Sequence, residues 1–148
     1  MASGTTFKFS GHQTFTFRYG WLEKGVRGVA EHPDLFFRDD ALVLLGVGKN
    51  MVESIRYWCN VAQLIEQNLN AGKNASRSLQ PTAVARKLLL NGAWDPFLED
   101  DASLWLIHWL IATNPLIGTA WQLLFSRYNR PDFTRREVTN YVHDFVAK

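Results

Sequence analysis

Between Asp39 and Arg86 the chain passes from a short apolar stretch through a glycine turn to a long amphipathic stretch and then a basic polar loop. This order constrains the fold more than any other feature. Asp39 and Asp40 precede Ala41-Leu42-Val43-Leu44-Leu45, so acids stand at the positive end of a short helix that Gly46-Val47-Gly48 terminates. From Lys49 to Gln67 the spacing predicts one helix, with Met51, Val52, Ile55, Trp58, Cys59, Ala62 and Ile65 on a single side. Its other side carries Lys49, Glu53, Arg56, Asn60, Gln63 and Gln67, side chains of the kinds that donate to phosphates or reach base edges. A solvated face has the same pattern, so the helix alone does not decide.

The next segment, Gln67 to Ser78, is rich in turn formers, carries Lys73 and Arg77, and has no acid, as expected of a flexible wing. Leu79 to Thr82 reads as a short return strand, with Pro81 and Thr82 opening a helix that runs to Leu89. The expected fold is therefore mainly α with a small β component, a winged helix-turn-helix extended by additional C-terminal helices. Residues 1–90 would form the DNA-binding region and 91–148 a helical extension on the same core.

Charge is distributed along the chain in a way that its overall value of +2 conceals. Lys49 to Lys87 holds six cations against Glu53 and Glu66, a net +4. Leu88 to Ser126 holds Asp95, Glu99, Asp100 and Asp101 and no cation, a net −4. A positive region of this kind is the electrostatic footprint of a nucleic-acid binder.

The 148 residues, 47% hydrophobic with six Trp, suffice for a real core and argue against disorder. A single cysteine, Cys59, excludes an internal disulfide and a cysteine metal cluster, and its place on the apolar side suggests a small core residue. The opening residues lack a basic start followed by an apolar run, so a cytoplasmic location is expected, with no membrane partner.

Leu104 to Ala112 is apolar nearly all round but too short to cross a bilayer of about 30 Å, and reads as the central core helix, with Trp105 and Trp109 packed inside. Asp100, Asp101 or Ser103 can cap its start, and Asn114-Pro115 stops it. Phe7 to Phe17 suits short extended segments with a turn at Ser10-Gly11. A first helix follows to Ala30, weakened by Gly25 and Gly28. Gly118 to Tyr128 suits an amphipathic helix, and Thr134 with Glu137 makes a capping box for a last one.

Two motifs are set aside. Gly46-Val47-Gly48-Lys49-Asn50 lacks the first glycine and the Ser or Thr of a phosphate-binding loop, and the four histidines show no ligand spacing. Neither a bound nucleotide cofactor nor a structural metal is expected in this region.

Catalytic candidates are few, because phosphodiester hydrolysis calls for metal-holding carboxylates or a nucleophile with its base. Asp39 and Asp40 form a pair that equally suits a helix start, and His12 can serve as base, phosphate ligand or simple turn residue. For DNA contact the candidates are Lys49, Asn50, Arg56 and Asn60 on the long helix, Lys73 and Arg77 on the wing, and Arg18 with His12 for a flanking backbone contact.

Several ordered strings carry a resemblance: Gly11 to Phe15, Arg18 to Gly25, Leu45 to Val52 with Ile55 to Trp58, Pro81-Thr82, and Asp95 to Asp100. Together they resemble a bacterial family catalogued as a domain of unknown function and associated with DNA phosphorothioation gene clusters. The resemblance implies a protein of phage defence that engages double-stranded DNA and contributes to nicking its backbone, so that sulfur can replace a phosphate oxygen. It also implies longer relatives, with this chain as the N-terminal domain, and partners among the proteins of the phosphorothioation complex. No cofactor is expected in this domain, and a divalent metal becomes a candidate if nicking is confirmed. The alternative from a different class is a non-catalytic module that docks a partner of the modification complex.

Overall fold

In the computed structural model, which describes residues 7–90 and 92–147, helix α1 (Trp21–Glu31) begins directly after Gly20. That glycine takes a φ of 78°, which reverses the chain at little steric cost. A single 3-10 turn, Leu35–Phe37, leads to the short helix α2 (Ala41–Leu45). Gly46 ends α2 in the left-handed region, its N–H bonding back to the carbonyls of Leu42 and Val43. Gly48 then starts α3 (Lys49–Val61).

Helix α3 stops at Val61 rather than at Gln67. Gln63 takes a φ of 56°, and Ile65–Gln67 becomes strand β1, antiparallel to β2 (Leu79–Pro81), with Ile65 opposite Pro81 and Gln67 opposite Leu79. The freed carbonyls find other donors: Thr82 gives its N–H to Leu64 at 3.0 Å and its hydroxyl to Gln63 at 3.0 Å. Leu64 and Ile65 are both buried, so the strand continues the apolar contacts that the helical period had suggested.

The β1–β2 connection is not an open flexible loop. Residues Leu69–Arg77 wind into 3-10 turns broken at Gly72, Asn68 accepts from the Asn70 N–H at 3.1 Å, and Gln67 donates to the Ala75 carbonyl at 3.1 Å.

Thr82 caps helix α4 (Ala83–Leu89) and Asp100 caps α5 (Asp101–Ala112). Helix α6 (Thr119–Gln122) runs into a π-helical turn, Leu123–Arg127, where one helix had been expected. Helix α7 (Arg135–Val146) carries the Thr134–Glu137 capping box.

Val26 and Val29 of α1, Leu35, Ile55 of α3 and Leu89 of α4 are all fully buried in one cluster, which Ile107 and Leu110 of α5 join. The glycines expected to weaken α1 serve its packing instead. A β-carbon at Gly25 would overlap Cys59 Sγ and come to 3.0 Å from Ile55 Cγ2; one at Gly28 would come to 2.6 Å from Leu35 Cδ2. Helix α5 departs from its expected central place: Ile107 and Leu110 are buried, but Trp105 and Trp109 are 71% and 58% exposed. An all-round apolar composition fixed that α5 touches the core without fixing how many of its sides are covered.

Residues 7–17 form no strand. Their turn lies at His12–Phe15, closed by the Phe15 N–H on the His12 carbonyl at 2.8 Å, with Gln13 and Thr14 at φ of 49° and 64°. Left-handed backbone at two non-glycine residues in a row is unfavourable and must be held by its surroundings. Gln13 bonds to the Glu53 carboxylate, the Trp58 indole N–H donates to the Phe15 carbonyl at 3.3 Å, and the Lys8 N–H donates to Thr119 Oγ1 at 3.0 Å. This segment is thereby laid across α3. No described helix is long and apolar enough to cross a membrane.

Candidate functional site

The outward face of α3 begins with Lys49 and Asn50, both exposed at its first turn, continues through Glu53, and reaches Arg56 and Asn60, which are partly buried. Arg56 and Asn60 line a polar cleft of about 530 Å³ whose other walls include Lys8, Phe36, Tyr57 and Ile117. Arg56 is the distinctive member. Its guanidinium carbon lies 4.4 Å from the centroid of the Phe37 ring, and among the described residues no carboxylate forms a salt bridge with it. Half-burial holds its pKa below the usual arginine value, against a smaller opposing effect of Glu53, and burial pushes the neighbouring Tyr57 hydroxyl up. A half-buried cation that no carboxylate bridges is suited to receive an anion, although Glu53 lines the same cleft.

Arg77, from the β1–β2 connection, reaches the same ring at 5.7 Å and donates through Nη2 to the Phe37 carbonyl at 2.7 Å. The structure thus brings together the two cations that the sequence placed separately on helix and wing. Lys73 is exposed on the same connection. Asn60 spends its amide N–H on the Arg56 carbonyl of its own helix, at 2.8 Å. Arg18 is exposed and sits against two rings, 5.3 Å from the centroid of Phe15 and 5.4 Å from that of Trp21.

The catalytic candidates do not assemble. Asp40 is held by a two-pronged interaction with Arg38, both bonds at 2.8 Å, which lowers its pKa. Asp39 is exposed at the start of α2. His12 packs against α3 aromatics, its ring 5.7 Å from that of Tyr57 and nearly parallel to Trp58 at 6.1 Å. Among the described residues no three His, Cys, Asp or Glu side chains gather as metal ligands would.

Three contributors escaped the sequence reading. Phe37 bridges helix and hairpin cations, Lys8 reaches the cleft from the N-terminal segment, and Gln13 engages Glu53. No local pattern marks Phe37 or Lys8, whose roles arise from tertiary placement. The unusual string His12-Gln13-Thr14 was the only available signal.

Two solved structures share this fold. A crystal structure of SspB is 35% identical with a TM-score of 0.81, matching 93% of this chain and 42% of its own. A magnesium ion-bound SspB crystal structure is 36% identical with a TM-score of 0.82, matching 94% and 42%. The chain spans less than half the length of these SspB chains. No curated protein matches it. Residues 9–148, nearly the whole chain, match the family described as a protein of unknown function, DUF4007, and the chain belongs to that SspB-like family.

Proposed function

We propose that this chain is a duplex-DNA-binding region acting in bacterial DNA phosphorothioate modification and phage defence, in which α2, α3 and the β1–β2 hairpin work as a winged helix-turn-helix. The observation that carries this reading is the meeting of Arg56 from α3 with Arg77 from the hairpin on the Phe37 ring. In the proposed arrangement α3 enters or overlies the major groove with Lys49, Asn50, Arg56 and Asn60, Lys73 and Arg77 hold phosphates beside it, and Arg18 makes a flanking backbone contact. Residues 1–90 supply these elements and 91–148 the helical extension. The place in phosphorothioation rests on the likeness to SspB and on the family resemblance.

Nicking belongs in this proposal to the longer protein and its partners. One similar structure is of magnesium ion-bound SspB; among the described residues of this chain no three His, Cys, Asp or Glu side chains gather, and no cleavage step is assigned to His12, Asp39 or Asp40.

The test is binding to a labelled non-specific duplex across a salt series. Neutralising several phosphates makes log affinity fall linearly with log salt. A steep slope supports the reading, and no binding even at low salt overturns it.

A second reading has its own observation. Trp94 and Phe97 are 74% and 61% exposed, with the Lys87 ammonium over the Trp94 ring at 5.7 Å from its centroid. Such a surface suits a module that docks a partner protein of the modification complex. Association with such a partner that ignores salt and is lost on Trp94→Ala favours docking.

A further inference from the structure

A second cavity, of about 440 Å³, lies on the neighbouring side of α3, a volume within the usual range for small-ligand sites. Phe17, Trp58 and Trp121 are among its walls, and His12 and His108 contribute two imidazoles to an otherwise mostly apolar lining. The rings pack on one another both edge-on and face-on, Phe17 and Trp121 each edge-on to Trp58. His12 and Trp58 are within 24° of parallel, Trp121 and Phe125 within 8°, and His108 stands edge-on to Phe125 at 4.7 Å. His12 Nδ1 is enclosed with no hydrogen-bond partner. An enclosed imidazole nitrogen left unpaired is costly unless something else bonds to it.

The two cavities share their walls in sequence. Tyr57 lines the cationic cleft and the next residue, Trp58, lines the aromatic one, their ring centroids 5.3 Å apart. Residues of the N-terminal segment do likewise, Lys8 and Gly11 facing the first and His12 with Phe15, Thr16 and Phe17 the second. The cationic cleft and the aromatic slot thus adjoin at the Tyr57–Trp58 pair.

We propose that this slot receives a planar nitrogen heterocycle, a base extruded from the DNA held by α3, stacked on the exposed ring of Phe17, edge-on to Trp58, with its polar edge toward His12 and His108. The proposal rests on the DNA-binding reading above. Extrusion costs pairing and stacking energy, least at a mismatch, and aromatic walls recover it. An apolar peptide side chain would fill the volume but leave His12 Nδ1 unpaired, so the imidazoles favour a heterocycle.

The experiment compares the 148-residue chain on a matched duplex, on the same duplex with one central mismatch, and on deoxyadenosine monophosphate followed by tryptophan fluorescence. The expected result is binding to the mismatched duplex about tenfold tighter than to the matched one. Phe17→Ala and His108→Ala should each abolish that preference while leaving matched-duplex affinity unchanged and the protein folded, as a cooperative melt shows. Equal affinity for both duplexes, with no response to the mononucleotide, overturns the proposal while leaving the DNA-binding reading intact. A saturable mononucleotide response that Phe17→Ala removes, without any mismatch preference, overturns extrusion and assigns the slot to a free nucleotide. If neither duplex binds, the DNA reading fails by itself, and the mononucleotide titration still decides whether the slot takes a heterocycle.

Discussion

The Arg56 guanidinium lies over the ring of Phe37, 4.4 Å from its centroid. A cation stacked in this way is pre-ordered, its charge aimed without loss of side-chain freedom on binding, and the contact contributes on the order of 1 kcal/mol. Arg56→Ala should therefore weaken duplex binding and reduce the salt slope by about one. It should leave the protein folded, with a stability loss of about 1 kcal/mol. Denaturant unfolding beside the salt titration separates the two effects, and a collapse of stability with an unchanged salt slope would assign Arg56 to the scaffold.

Phe37→Leu keeps an apolar side chain but removes the ring that Arg56 and Arg77 share. Duplex affinity should fall by about three- to tenfold, from loss of roughly 1 kcal/mol of ordering. In a double-mutant cycle, Phe37→Leu and Arg77→Ala should be non-additive. Additive losses would show that the two side chains act independently.

Asp95 accepts hydrogen bonds from the N–H groups of Glu99 and Asp100, both at 3.0 Å, and its pKa is lowered chiefly by a hydrogen bond with Ser103 and further by these backbone donors. A folded-state pKa below the unfolded one gives a contribution that is complete above the ordinary carboxylate range. It is lost as pH falls through the lowered value. Asp95→Asn should therefore reduce the melting temperature at neutral pH, and the gap from the parent should close toward pH 3. A gap independent of pH would mean that the carboxylate charge is irrelevant there.

Cys59 is fully buried between α1 and α3, and burial pushes its thiol pKa far up. Iodoacetamide should leave the native protein unmodified and label it at the rate of global unfolding. Mass spectrometry after timed exposure reads this directly, and fast labelling in native buffer would contradict the packing.

Much of the chain was legible because the relevant physics is local. The caps at Thr82, Asp100 and Thr134 depend on a side chain and a backbone N–H within a few residues, and the structure forms all three. The end of α3 was not legible, since Ala62 and Ile65 keep the helical period while Gln63, a residue with no special claim to positive φ, turns the chain. Exposure of Trp105 and Trp109 was equally hidden, because composition does not reveal which sides of an apolar helix have neighbours. At the site, the candidate cations of α3 and the hairpin could be named from sequence. Their meeting at Phe37 could not, because that contact depends on where the 3-10 turn Leu35–Phe37 lies against both.

The missing side chain at Gly25 lets Cys59 and Ile55 approach α1 without a gap, so residues 25 and 59 occupy what is in effect one shared volume. Enlarging either alone costs about 1–3 kcal/mol of overpacking. Among descendants of a common ancestor, a side chain at position 25 would persist only where residue 59 had already shrunk. The pair should drift through evolution as a single character, leaving a correlated trace in DUF4007 chains even where the residues of the cationic cleft diverge.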